Sequence, residues 1–227
     1  MLRSRWDTVG WAARVRPFMI QAIQITRLHD EAIARWHQAE PWPDPALLQS
    51  LAQQPATELI ETILGNHRAN FDLWHEEDKA REPEVSDATI AQVKHNIDHL
   101  NQRRNDLLEA MDRILFAAAG EQNHDAPLHS ETPGLILDRL SILALKIYHT
   151  AEETQRESAG EAHRERNRAR LVLLLEQRTD LAGCLETLWD DVLHRRRRFK
   201  LYRQMKMYND PELNPAIYKH QPHAHTG

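Results

Sequence analysis

Ile90-Ala91-Gln92-Val93-Lys94-His95-Asn96-Ile97-Asp98-His99-Leu100-Asn101-Gln102-Arg103-Arg104-Asn105-Asp106-Leu107-Leu108-Glu109-Ala110-Met111-Asp112-Arg113-Ile114-Leu115-Phe116-Ala117-Ala118 decides the fold. Ile90, Val93, Ile97, Leu100, Leu107, Met111, Ile114 and Ala118 recur at alternating steps of three and four, the spacing of a helix that buries one face. Arg104 is the one polar residue in that register. Ser86 or Asp87 supplies the cap and Gly120 the stop.

Working outward, the same spacing predicts a first helix from about Phe18 to Ala39 on Ile20, Ile23, Leu28 or His29, and Ile33. Pro41-Trp42-Pro43-Asp44-Pro45 ends it, and a short helix follows through Leu47, Leu48 and Leu51. A second long helix runs from a cap at Thr57 to about Arg81. Thr132 followed by Pro133 reads as an N-cap with proline in the first turn. The helix it opens carries Ile136, Leu140, Leu143 and Ile147 on one face, and Ile142, Leu145 and Tyr148 widen that face, so it is expected at the centre. After a break at Ser158 to Gly160, a fifth helix is expected from Ala162 to Met207, on Leu171, Leu174, Arg178, Leu181, Leu185, Leu188 and Val192, with a bend near Gly183. The expected fold is all-α: an antiparallel bundle of about five long helices over residues 19–207, with an extended tail over 208–227.

Composition agrees. Hydrophobic residues make 41% of the 227 and charged residues 28%, ordinary globular usage that supports one core. Seven glycines are too few for a many-turned β-protein. The net charge of −5 disfavours nucleic acid as a partner, apart from a local basic patch. Cys184 is the only cysteine, which excludes an intramolecular disulfide and a cysteine-based zinc site; its apolar surroundings suggest a core position. No apolar run approaches the roughly 18 residues that span a bilayer, so no integral membrane segment is expected and a cytoplasmic location is the simple reading. In residues 1–18, Arg3, Arg5, Arg14 and Arg16 alternate with Trp6, Val9 and Trp11. That segment reads either as a membrane-surface amphipath or as an extension ahead of a start at Met19.

Two polar stretches break the bundle pattern. In the second helix, Asn66-His67-Arg68-Ala69-Asn70-Phe71-Asp72-Leu73-Trp74-His75-Glu76-Glu77-Asp78 places His67, Phe71, Trp74 and Asp78 on the stripe continued from Ile60 and Ile63, with Glu76 pointing away. Arg104 then needs a carboxylate, since an unpaired buried ion costs several kcal/mol, and Asp78 and Asp138 are the candidates. Asp138, Arg139, Lys146, His149 and Glu152 add polar groups to the central helix. A ligand pocket between helices and a purely structural ion-pair network both fit. If chemistry occurs, His67 and His75 are the proton-transfer candidates with Asp78 as orienter. Asn66, Asn70, Trp74, Arg104, Asp138, Arg139, Lys146 and His149 are the ligand-binding candidates on the helices.

His67, His75, Asp78, His149 and Glu152 are all ligand types and could hold a divalent cation, but the reading taken is that there is no metal site. The paired Glu-x-x-His motifs of di-iron bundles are absent, and His67 and His75 differ by about 80° around an ideal helix. His95 and His99 have i, i+4 spacing but read as surface, and His220, His223 and His225 as incidental. Nor does any motif name a cofactor: there is no Gly-x-Ser-x-Gly, phosphate loop or dinucleotide fingerprint. The second polar stretch is basic, from Arg195 to Lys206, with no acidic residue and with Phe199, Tyr202 and Met205 on one side of an expected helix. Arg198, Lys200, Arg203 and Lys206 suit a phosphate; an RNA or an anionic membrane is an alternative, and so is a solvated helix end. Tyr208, Asn209 and Asp210 follow as further candidate contacts.

The chain resembles a bacterial family, Domain of Unknown Function 4254, from about residue 20 to 218. The resemblance rests on Asn66-His67-Arg68 with Trp74-His75-Glu76-Glu77-Asp78-Lys79-Ala80-Arg81; on Thr132-Pro133-Gly134 with Asp138-Arg139-Leu140-Ser141-Ile142-Leu143 and Lys146-Ile147-Tyr148-His149; and on Arg197-Arg198-Phe199-Lys200 with Lys206-Met207-Tyr208-Asn209-Asp210-Pro211. It implies a helical protein without an assigned reaction, whose relatives accompany glycosyltransferases of cell-envelope polysaccharide synthesis. It leaves out residues 1–18, which favours Met19 as the start. The expected ligand is therefore a sugar phosphate or nucleotide sugar. The alternative is a non-catalytic partner of a glycosyltransferase. Whether the chain is an enzyme is left open.

Overall fold

The computed structural model describes residues 20–39, 57–202, 212, 214 and 215. Among these residues the chain forms five helices: α1 Ala22–His37, α2 Thr57–Lys79, α3 Asp87–Ala119, α4 Pro133–Gln155 and α5 Glu161–Leu193. Short connections fold α2 back on α3 and α4 back on α5, and α4 touches all four other helices. The central position expected of this helix is found. The short helix expected at Leu47 to Leu51 and the segment 1–18 lie outside the described residues.

The caps expected at α3 and α4 are present. Ser86 Oγ accepts from the Thr89 N–H at 3.2 Å, and Gly120 ends α3 with φ of 66°. Thr132 Oγ1 accepts from the Leu135 N–H at 3.2 Å and itself donates to Asp112 Oδ2 at 2.6 Å. Asp112 Oδ1 takes the Gly134 N–H at 2.8 Å, so one α3 carboxylate ties down the start of α4. A Cβ on Gly134 would lie 2.4 Å from that oxygen, which is why the helix begins Pro-Gly. At the other side of the bundle, the Ala22 N–H donates to Glu186 Oε1 at 2.8 Å and anchors α1 to α5.

Several expectations are corrected. α1 is shorter than Phe18 to Ala39, and its buried face is Ile25, His29, Ala32, Ile33 and Trp36, leaving Ile23 58% exposed. On α3 the strict heptad fails: Ile90 is exposed, and Leu108, Met111, Leu115 and Ala118 are buried, because a straight helix at 3.6 residues per turn drifts off a seven-residue repeat. Cys184 is exposed on α5 rather than in the core. α5 runs unbroken through Gly183 but ends at Leu193, not Met207. Arg195 takes φ of 60°, and the N–H groups of Arg196 and Arg197 turn back onto the Asp191 carbonyl. The chain then runs as a strap beside 127–129: the Arg198 N–H donates to the Pro127 carbonyl at 3.2 Å, and the His129 N–H to the Arg198 carbonyl at 2.8 Å. Phe199, 2% exposed, joins the core with Met111, Leu115, Ile136, Leu185 and Trp189. Its burial is what stops the helix. A second apolar cluster, Ala32, Ile33, Trp36, Leu64, Phe71, Ala144 and Leu145, surrounds the polar residues of α2.

Candidate functional site

The polar stretch of α2 divides into a sealed part and an open part. Asn66, His67 and Asn70 are buried against Asp138 and Ser141 of α4. Asp138, and not Asp78, is the partner of Arg104: Arg104 Nε donates to Asp138 Oδ1 at 2.9 Å, and Nη2 contacts Oδ2. The Asn66 and Asn70 amides also donate to Asp138 Oδ1, at 3.1 and 3.0 Å. Burial pushes the Asp138 carboxyl up, but the Arg104 guanidinium and the two amides overcome it and hold the group below the usual carboxylate range.

Hydrogen-bond directions around His67 follow from its surroundings. Burial pushes its imidazole down to about 3, so the ring is neutral. Nε2 lies 3.1 Å from the His29 carbonyl, which only accepts, so Nε2 carries the proton. Nδ1 must then accept, from the Ser141 hydroxyl at 2.7 Å, and Ser141 Oγ accepts in turn from the Asn70 amide at 2.9 Å. Both ring nitrogens are engaged and the ring is shielded from solvent. Beside it, 4.3 Å between ring centroids, the His29 imidazole is fully buried, and neither of its nitrogens has a hydrogen-bond partner. Burial, with His67 and Arg178, holds His29 well below the ordinary histidine value.

About two turns further along α2 the expected stripe is displaced. Glu76 is buried and Asp78 exposed, the reverse of the expectation. Glu76 accepts from the Asn96 amide of α3 at 3.0 Å and contacts Lys79 Nζ, and those hydrogen bonds lower its carboxyl. Asp78 acts on His75 only through its charge, which works against the lowering that burial, His37 and His149 impose.

His75 belongs to an aromatic cluster. His37 at the end of α1, His75 on α2 and His149 on α4 present ring nitrogens that all lie within 4.8 Å of one another. Tyr148 stacks on His37 at 4.5 Å, Trp74 stacks on His149 at 4.8 Å, and Phe71 meets His75 edge-on at 4.5 Å.

Two open clefts flank α4. One, of about 490 Å³, lies over the Arg104–Asp138 pair and is lined by Asn70, Trp74, Glu77, Asp78, Arg81, Asn101 and Arg104, with Leu73, Ile142 and Leu145 as apolar wall. The other, of about 700 Å³, runs between α4 and α5 and includes Arg139, Lys146, His129, Glu131 and Asp180. The ligand-binding candidates are therefore split: Asn70, Trp74 and Arg104 share a cleft with Asp78, the expected orienter, while Arg139 and Lys146 line the opposite one and His149 belongs to the histidine cluster. Arg139 is already held by Glu131 at 2.8 and 3.0 Å.

The basic stretch is largely neutralised within the chain. Arg195 pairs with Glu121, Arg196 with Asp190 and Asp191, and Arg197 with Asp191. Arg198 Nε donates to the Ala126 carbonyl at 2.9 Å, and Lys200 is exposed. Arg203, Lys206, Tyr208, Asn209 and Asp210 lie outside the described residues. His37, Ser141 and Asp112 are site or clamp residues that the sequence did not single out, and His29 entered only as an alternative to Leu28 on the face of the first helix.

Fold and site together define a helical bundle with a sealed polar network beneath a mixed-charge cleft, and among the described residues no helix is long and apolar enough to cross a membrane. The chain belongs to the family described as "Protein of unknown function (DUF4254)", whose model matches residues 60–201. No curated protein and no solved structure gives a significant match.

Proposed function

We propose that the chain binds a phosphorylated sugar or nucleotide sugar in the α2–α3–α4 cleft, as a cytoplasmic bacterial protein serving cell-envelope polysaccharide synthesis. The carrying observation is the lining: an indole at Trp74, amides at Asn70 and Asn101, carboxylates at Glu77 and Asp78, and guanidinium groups at Arg81 and Arg104 in one cleft of about 490 Å³. An indole with amides and carboxylates is a chemistry for sugar hydroxyls, and guanidinium forks match phosphate oxygens. The Asp138 network supports the reading by fixing Arg104 and Asn70 at the cleft floor. Titration calorimetry with a hexose 1-phosphate and a uridine-diphosphate hexose tests it. Saturable binding weakened in Arg81→Ala and Asn101→Ala is the expected result. Binding unchanged in both variants would place the ligand elsewhere.

A second reading, docking to a glycosyltransferase through the long helices, is favoured by one feature. Val172, Leu173 and Leu175 of α5 are 64%, 59% and 39% exposed, an apolar run on the bundle surface. Failure of every sugar ligand, with Val172→Glu abolishing co-purification of a glycosyltransferase, would move the assignment there.

A further inference from the structure

We propose that His37, His75 and His149 form a three-histidine binding site for one Zn²⁺ ion. The site is built from three different helices, α1, α2 and α4, and its ring nitrogens already lie within 4.8 Å of one another. Tetrahedral zinc with Zn–N bonds of about 2.0–2.1 Å holds its ligand nitrogens roughly 3.4 Å apart, so closure brings the nitrogens together by up to about 1.4 Å. His37, exposed at the last turn of α1, has room to make it. The three rings meet edge-on, with interplanar angles of 76°, 71° and 82° and centroids 5.1 to 5.6 Å apart, as imidazoles arranged around a common point do.

Tautomers point the same way. His37 Nδ1 lies 2.8 Å from the Ile33 carbonyl, and His149 Nδ1 lies 2.9 Å from Glu152 Oε2. Both partners only accept, so each Nδ1 carries the proton and each Nε2 keeps its lone pair. Histidines that ligate metals through Nε2 are oriented by this kind of outer contact, to a carboxylate or a backbone carbonyl. The Nε2 atoms of His75 and His149 are buried and have no hydrogen-bond partner, which is costly unless a cation takes their lone pairs. Asp72 and Asp78 add negative charge near His75. Imidazole ligands without a carboxylate among them select a first-row transition metal over Mg²⁺ or Ca²⁺. Three protein ligands leave a fourth position for water or an anionic oxygen, and the exposure of His37 gives the ion a route from solvent. This site stands independently of the sugar-phosphate reading, since neither His37 nor His75 lines that cleft.

The experiment uses full-length protein carrying His220→Ala, His223→Ala and His225→Ala, which removes adventitious tail ligands. After chelator treatment, zinc binding is measured by calorimetry and by elemental analysis of gel-filtered protein, and Co²⁺ is added as a spectroscopic probe. The expected result is one zinc per chain and the intense visible absorption of four-coordinate cobalt. Both should be lost in His37→Ala, whose exposed side chain leaves folding intact by circular dichroism. Glu152→Ala should weaken zinc about 10–100-fold, and a variant with both His95→Ala and His99→Ala should bind as before. Zinc binding undiminished in His37→Ala, no retained zinc in the tail-substituted protein, or loss of binding in the His95/His99 variant would each overturn the proposal.

Discussion

The Arg104 guanidinium on α3 meets the Asp138 carboxylate on α4 in a two-point contact, and Asp138 Oδ1 also receives the Asn66 and Asn70 amides of α2. One carboxylate thereby joins three helices beneath the cleft. Removing it leaves a cation without its carboxylate and takes one acceptor from each of two buried amides, whereas removing Arg104, which is partly exposed, leaves an anion that still has two donors. Asp138→Ala should therefore cost about 3–5 kcal/mol and Arg104→Ala less, read from urea midpoints. Equal costs would show that the amides contribute nothing.

His67 and Asp78 should separate. His67→Ala removes a buried ring and takes from the Ser141 hydroxyl the acceptor of its proton, a loss of about 2–4 kcal/mol. Asp78→Asn, at an exposed position, should stay within about 0.5 kcal/mol of the parent. Thermal melts of the two variants check both figures.

Mild acid should weaken the bundle through its buried histidines. His67 at about 3, His29 and His75 are all held below the ordinary histidine value, so under mild acid the unfolded chain binds more protons than the folded one. Their stability is fully present above about pH 6.5 and is lost as pH falls towards the folded values, at about 1.4 kcal/mol per pH unit for each fully buried ring. His75, half-buried, contributes less. Urea midpoints between about pH 7 and pH 5 should fall steadily in the parent and less steeply in His29→Phe. A flat profile would contradict the neutral, buried assignment.

At the start of α4, Gly134→Ala would press its Cβ against Asp112 and force that carboxylate off Thr132 and the Gly134 N–H. The expected loss is about 1–3 kcal/mol, matched by Asp112→Ala, with the double variant costing no more than either alone. Additive losses would mean that the two positions are not in contact.

Phe199→Ala should cost about 3–5 kcal/mol because the ring fills the core, while Lys200→Ala, one residue on, should have no measurable effect on folding. Denaturation curves separate a docked strap from a solvated helix end.

The helices were legible because their signals are local. Spacing, the Thr132-Pro133 cap and the Gly120 stop each act within a few residues, and the structure places α3 and α4 where they indicate. The end of α5 was not legible, since charge and spacing in Arg195 to Lys206 say nothing of Phe199 finding a core slot beside Trp189. Arg104 announced its need for a carboxylate, but choosing Asp138 over Asp78 required knowing how α4 packs. The histidine cluster was hidden for the same reason. His37, His75 and His149 lie on three helices with no shared spacing, and only tertiary packing brings them together.

The cleft is tested most directly by melting the purified protein against sugar phosphates, nucleotide sugars and inorganic phosphate, in parallel with Arg81→Ala. A ligand at about 100 times its dissociation constant adds roughly 2.7 kcal/mol, a clear upward shift in Tm. Such a shift is expected with a sugar phosphate or nucleotide sugar, absent with inorganic phosphate and lost in Arg81→Ala. No shift across the panel, or a shift that Arg81→Ala retains in full, would contradict it.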